Sequence, residues 1–279
     1  MSKKKEKWKG AGKMRFGSLF FFSIIAAAAV FLAASNSPEK IAKPTDILPA
    51  KTDSKANNGA VLPDVALWGE TKTNTVKETA IPSADGHSNL VEVEGTYPIN
   101  TPFAAKAEEH VKDFMRSFMN DYPEVNNITQ SYEVSAEASV DVFYGKKLAS
   151  YLYNDWRNDG GAHGNTVFSS ETFDMKGKTY DLSDLFLEKT DYLGILSRLA
   201  TAHFINDPQV NFDPKDVMFG SGLDPKSDNF GAFVVSGRSL IFQFQNYQIG
   251  PYSEGAQRFE ISTDNPEIKN IIRSELFGL

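Results

Sequence analysis

Ser131-Tyr132-Glu133-Val134-Ser135-Ala136-Glu137-Ala138-Ser139-Val140-Asp141-Val142 alternates without a break: every even position is apolar and every odd one is Ser, Glu or Asp. A period of two held this long predicts a strand in a sheet with one face in water. Tyr144-Gly145-Lys146-Lys147 then predicts a turn, and Leu148 to Trp156, rich in Leu, Tyr and Trp, the returning strand. Upstream, Thr101-Pro102 predicts the start of a helix, with threonine as N-cap and proline at the first helical position. Phe103, Ala107, Val111, Phe114, Met115 and Phe118 fall at helical spacing over residues 102–121 and mark its buried face, with His110 beside them as an ordinary boundary residue. Two further strands precede it, Thr71 to Ala80 and Asn89 to Tyr97, the second ended by Pro98. The layout of this half is one helix on an antiparallel sheet.

Downstream lies Asp159-Gly160-Gly161-Ala162-His163-Gly164-Asn165, where three glycines leave the backbone nearly bare. It reads as a hinge between two small α+β units, residues 61–157 and 158–279. Past it, Asn165 to Asp174 predicts a strand, Met175 to Lys178 a turn, Asp181 to Phe186 a helical turn, and Thr190 or Asp191 the cap of a helix through Phe204. Phe230 to Ser236 and Ser239 to Gln245 predict a hairpin about Gly237-Arg238, with Leu240, Phe242 and Phe244 on one side. Tyr247-Gln248-Ile249-Gly250-Pro251-Tyr252-Ser253-Glu254-Gly255 interrupts the strand, Gln257 to Ser262 resumes it, and Asp264-Asn265-Pro266 opens a last helix holding Ile268, Ile271, Ile272 and Leu276. The fold class is α+β, helices packed on antiparallel sheet. The glycine-rich stretch and the Tyr247 loop are expected to share one surface.

Charge divides the chain. Of 29 basic and 36 acidic residues, seven basic and one acidic lie in residues 1–15 and none in 16–35, so the remainder holds 22 basic against 35 acidic side chains, a net of −13. Such a surface repels nucleic acid and attracts cationic partners. Phe16 to Ala34 runs nineteen residues without a charge behind that basic tail, enough to cross a bilayer with residues 1–15 in the cytoplasm and the rest outside. A signal peptide cleaved near Ser35 is the other reading, and both export the protein. Residues 36–60, with Pro38, Pro44 and Pro49 among polar side chains, read as a tether, and order is expected to begin near Val61 to Trp68.

Cysteine is absent, which excludes disulfides, thiolate catalysis and thiolate metal sites. The sequence holds no HExxH, nucleophile elbow, phosphate loop or dinucleotide fingerprint, so neither cofactor nor metal is expected. Thr172-Phe173-Asp174 matches the first three residues of the metal-binding Thr-Phe-Asp-Asp-Gly motif of polysaccharide deacetylases, but Met175 stands where the second aspartate belongs. His163, with Asp159 nearby, is either a base or ligand or a histidine whose ring pins the turn through a backbone carbonyl. Tyr247, Pro251 and Tyr252 are rigid and flat, suited to a partner surface or to a corner whose tyrosines pack inward.

Asn158 to Asn165, Phe173-Asp174 with Gly177, Leu182-Ser183-Asp184-Leu185-Phe186, and Tyr247 to Tyr252 with Gly255 together resemble a domain of unknown function. It is shared by the extracytoplasmic part of lysozyme-sensing anti-sigma factors and the region ahead of the catalytic domain in certain peptidoglycan deacetylases. Residues 65–157 resemble the smaller domain that accompanies it. The resemblance implies a non-catalytic binding module at the cell membrane, its partner a cationic lysozyme-like protein or cell-wall glycan. Two departures stand out: a tail of about fifteen residues is short for a sigma-binding segment, and no deacetylase domain follows Leu279. By position, Gly160, Gly161, His163, Tyr247, Pro251 and Tyr252 are the candidate partner-binding residues; Asp159 and His163 are the candidates if the protein is instead a cell-wall-modifying enzyme.

Overall fold

The alternating strand lies in the middle of a six-stranded sheet. The computed structural model describes residues 71–80, 91–122, 134–214, 216 and 220–279; the basic tail, the apolar run, the tether and the expected onset of order at Val61 lie outside them. In chain order the sheet is built from β1 (Thr73–Ala80), β2 (Val91–Pro98), β3 (Val134–Tyr144), β4 (Leu148–Asn158), β5 (Asn165–Asp174) and β6 (Thr179–Tyr180), each hydrogen-bonded to the next. Helix α1 (Ala104–Asp121) covers one face. Among the described residues no helix is long and apolar enough to cross a membrane.

The period of two decides which face each side chain takes. Val134, Ala136, Ala138 and Val140 of β3 and Ala149, Tyr151 and Tyr153 of β4 bury against Ala107, Val111, Met115 and Phe118 of α1. Each Phe, Met or Val fully withdrawn from water there contributes about 1.5–3 kcal/mol. Gly95, at an inward position of β2, lies directly beneath Val111 and Met115, where a Cβ would collide with both side chains. The opposite face carries Phe143, Leu152 and Phe168, which meet Val234 and Ile241 of a second sheet.

That second sheet has the order β7 (Phe233–Ser236), β8 (Ser239–Gln243), β9 (Arg258–Ser262). Its far face, with Phe233, Val235, Leu240, Phe242, Phe259 and Ile261, shares a core with Leu196, Ala200 and Phe204 of α2 (Tyr192–Asn206). Asp191 caps α2, its Oδ1 accepting from the Gly194 amide at 3.0 Å. The fold is therefore mixed α+β, layered as helix, sheet, sheet, helix.

Four expectations need correction. The sheet is not wholly antiparallel: β2 and β3 run parallel, Val91 opposite Val134, because α1 carries the chain back over the face before β3 begins. The residue 157/158 boundary does not divide the sheet, since β4 and β5 pair from Leu148–Asp174 to Arg157–Asn165 and the glycine-rich stretch is the hairpin loop between them. All described residues fall in one compact unit, Asn58–Leu279. Thr101 does not cap α1; its hydroxyl bonds Tyr151 Oη at 2.6 Å, and the helix starts after Phe103, held at φ 62° with its ring edge-on to Phe173. The last helix is confined to α3 (Ser274–Phe277). The Leu187 amide donates to the Ile271 carbonyl and the Arg273 amide to the Leu185 carbonyl, so these groups are taken from any helical ladder.

Candidate functional site

The register of β4 and β5 brings Arg157 opposite Asn165, and six residues reverse the chain between the strands. Gly160 takes φ 79°, its amide donating to Asn158 Oδ1 at 3.2 Å. Gly164 lies flat on the Trp156 indole, where a Cβ would stand 2.5 Å from Nε1 and Cε2. The glycines are thus required by turn geometry at one position and by close approach at the other.

The Tyr247 loop is stitched to the same end of the sheet. Gln245 acts as an extra strand residue, its Nε2 donating to the Phe168 carbonyl at 2.7 Å and its Oε1 accepting from the Phe168 amide at 2.8 Å. Asn246 Nδ2 donates to Asn165 Oδ1 at 3.1 Å. Tyr247 is turned outward at φ 64° and remains 50% exposed. Pro251 leads into the single helical turn Tyr252–Glu254, accepting from the Glu254 amide at 3.1 Å.

His163 lies where the two segments meet. Its ring stacks on Tyr252 with centroids 3.8 Å apart and planes 18° from parallel, and Tyr247 lies 5.4 Å from Tyr252. Nδ1 lies 3.0 Å from the Gly164 carbonyl, and Nε2 lies 3.1 Å from Tyr247 Oη. The Tyr252 hydroxyl donates to that same carbonyl at 2.7 Å. A neutral ring with its proton on Nδ1 satisfies every partner: Nδ1–H donates to Gly164, and Nε2 accepts from Tyr247. Both ring nitrogens are therefore committed to holding the turn, which is the pinning role of the two read from the sequence.

Beside this cluster an open groove of about 500 Å³ is lined by Phe114, Asp155, Arg157, Asp159, Gly161, His163, Asn165 and Val167. Asp155 accepts from or pairs with His110, Nε2 to Oδ2 2.9 Å, while the His110 ring stacks on Tyr153 at 3.9 Å. Arg157 bridges Asp121 at 2.9 Å and Asp159 at 3.0 Å, its guanidinium 5.0 Å above the Phe118 ring. Asp159 also accepts from the Tyr122 hydroxyl at 2.5 Å, and burial, then the Asp159 carboxylate, push the Tyr122 phenol up to about 12. Asp159 is thus bound by an arginine and a tyrosine, while His163 is bound by Gly164 and Tyr247. Among the described residues no three His, Cys, Asp or Glu side chains are placed to hold a metal ion.

Of the predicted site residues, His163, Tyr247 and Tyr252 come into direct contact, Gly161 lines the groove, and Gly160 and Pro251 shape the two loops. The sequence reading missed Asp155, Arg157 and Phe114. A signal existed, because Tyr151, Tyr153, Asp155 and Arg157 alternate on the face of β4 toward α1, so its last two inward positions are charged. Asp174 of the deacetylase-like tripeptide is a turn residue. Against the upward push of partial burial, the Lys176 and Lys178 amides and the Tyr180 hydroxyl hold its carboxyl below the usual range.

Residues 183–264, which include the Tyr247 loop, match the model of the family described as protein of unknown function DUF3298. That stretch is similar to the DUF3298 family. It is 26% identical over 170 residues, 61% of this chain, to the peptidoglycan-N-acetylmuramic acid deacetylase PdaC of Bacillus subtilis (strain 168). The match spans only 35% of that enzyme's length. Two crystal structures share the fold. A DUF3298 family protein from Pseudomonas aeruginosa PAO1 matches with TM-score 0.51 and 14% identity, covering 75% of this chain and 96% of its own. One from Bacteroides fragilis NCTC 9343 matches with TM-score 0.50 and 18% identity, covering 73% and 93%. The glycine-rich turn that carries His163 precedes the matched segment, so the cluster joins that segment to the strand pair before it.

Proposed function

We propose that this protein is a non-catalytic binding protein of the cell envelope, held outside the membrane by residues 16–35, that grips a cationic lysozyme-like protein through the DUF3298-like segment. The observation that carries the reading is the His163–Tyr247–Tyr252 cluster. Two distant segments build an aromatic surface whose polar atoms are spent on holding it in shape, with Tyr247 standing 50% exposed at its crest. Rigid tyrosines give contact area at low entropic cost. The net −13 of residues 36–279 favours a cationic partner.

Titration calorimetry of the full chain with a lysozyme tests this. Binding is expected at low salt and should weaken steeply as salt rises. Absence of heat at low salt, or binding of cell-wall glycan alone, would overturn the choice of ligand.

A second reading is a cell-wall deacetylase using Asp159 and His163, favoured by the kinship to PdaC. It requires the chain to release acetate from peptidoglycan and His163→Ala to abolish the release. The commitments of both side chains to structural partners support binding over turnover.

A further inference from the structure

The two edges of the three-stranded sheet are finished differently. Register and turn bonds show which backbone groups of each edge strand face outward. The Gln243 amide donates to the Ala232 carbonyl, so Phe233, Val235 and Gly237 turn their amides away from β8. All three are capped by the large sheet: Phe233 donates to Ser170 Oγ at 2.9 Å, Val235 to Ser150 Oγ at 2.9 Å and Gly237 to the Tyr144 carbonyl at 2.8 Å.

On β9 the Phe244 amide donates to the Gln257 carbonyl and the Thr263 amide to the Arg238 carbonyl. Gln257, Phe259, Ile261 and Thr263 therefore face β8, while Arg258, Glu260 and Ser262 direct their amides and carbonyls away from it. Among the described residues only the Ser262 carbonyl is engaged there, accepting from the Asn265 amide at 2.9 Å, which marks one end of the open edge.

Beside this edge runs a groove of about 640 Å³. Its helix wall is Leu199, Ala202, His203 and Asn206 of α2, and its strand wall is Phe259 to Ser262. An edge strand and a helix flanking a groove are the arrangement into which an extended peptide adds as one more strand. We infer that β9 accepts an extended, basic-centred peptide as a fourth, antiparallel strand of this sheet.

The chemistry of the peptide follows from the register. In antiparallel addition its residues lie opposite Ser262, Ile261, Glu260, Phe259 and Arg258 in turn. Side chains opposite Ile261 and Phe259 lie on the groove face and must be apolar. The one opposite the exposed Glu260 must be basic, and the one opposite Arg258 acidic. The pattern is polar, apolar, basic, apolar, acidic.

A second copy of this chain fits poorly, because two-fold pairing about the strand centre would set Glu260 opposite Glu260, and like charges directly opposite repel. The outer edge of β1, unpaired among the described residues, is no rival, since Thr73 to Glu78 is exposed on both faces except for a half-buried Val76, and Lys77, paired with Glu94, blunts it.

The test uses the full chain and a capped Gly-Ser-Val-Lys-Val-Glu-Gly peptide, followed by backbone amide shifts and calorimetry. Saturable binding should move the β9 amides. N-methylation of the lysine amide, which faces β9, should weaken it about tenfold or more, while N-methylation of the following valine, whose amide faces away, should not. Glu260→Lys should weaken binding about three- to tenfold, and replacing the peptide's lysine by glutamate, with its own glutamate kept opposite Arg258, should recover it. No binding at millimolar peptide, equal loss from either methylation, or self-association that displaces the peptide would overturn the inference. Glu260 is exposed, so its substitution does not threaten folding.

Discussion

Gly164→Ala and Gly161→Ala differ by three positions in one loop and should differ sharply in cost. A Cβ on Gly164 would stand 2.5 Å from Trp156 Nε1 and Cε2 and 2.6 Å from Cζ2. Carbon contacts are comfortable near 3.5–4.0 Å, so the indole or the turn must give by about 1 Å. Trp156 sits within the β4–β5 ladder and cannot swing away freely. Overpacking of this kind costs about 1–3 kcal/mol. If the turn yields, the Gly164 carbonyl moves from His163 Nδ1 and the Tyr252 hydroxyl, each bond worth about 1 kcal/mol. The sum, with both bonds lost, is about 3–5 kcal/mol. On Gly161 the nearest atom is 4.0 Å away and the backbone is not left-handed, so alanine there should stay within about 0.5 kcal/mol of the parent. Urea unfolding followed by tryptophan fluorescence gives both numbers. Equal effects at the two glycines, or a Gly164→Ala protein with unchanged midpoint and emission, would refute the packing described for the turn.

Three other outcomes follow from buried polar groups. Thr263 is fully buried and its Oγ1 has no partner among the described residues, so Thr263→Val should stabilise the protein by about 1 kcal/mol or more in the same unfolding assay; a destabilised variant would mean the hydroxyl has a partner. Ser150→Ala strips the acceptor from the Val235 amide and should accelerate its hydrogen exchange, whereas unchanged protection would show that the edge of β7 is sealed by something else. Burial pushes the Tyr151 phenol up to about 12, as burial and then Asp159 push Tyr122 to about 12. A phenol whose folded value lies above its unfolded value near 10 contributes its full stability below pH 10 and loses it as pH rises toward 12. Stability that stays flat from pH 9 to 12 would contradict the burial of these rings.

The elements were largely legible because their cause is local. Alternation at Val134 to Val142, the stripe Ala107-Val111-Met115-Phe118 and the trio Leu240-Phe242-Phe244 each encode a face, and a face is read from one segment. What was not legible depends on pairing between segments. Nothing in Val91 to Pro98 says that its neighbour runs parallel, and nothing in Gly160 to Gly164 distinguishes a hinge from a hairpin loop; the partner strand decides both. The final helix failed for the same reason, since Leu185 and Leu187 capture backbone groups of the Ile271 to Arg273 stretch. His163, Tyr247 and Tyr252 were found together because rigid residues and glycines stand out in composition. Asp155 and Arg157 were hidden because two charges in a strand look like a solvated face until α1 is seen to cover it.

The aromatic crest is the part of the binding account most open to direct test. Tyr247 is half exposed, so Tyr247→Ala should leave the fold intact, and its effect on affinity reports the surface together with the one hydroxyl bond to His163. Calorimetry of the parent and variant chains against lysozyme at low salt should give at least a tenfold weaker Kd for the variant, about the loss expected of a central aromatic contact. Equal affinity for the two chains would contradict the placement of the binding surface.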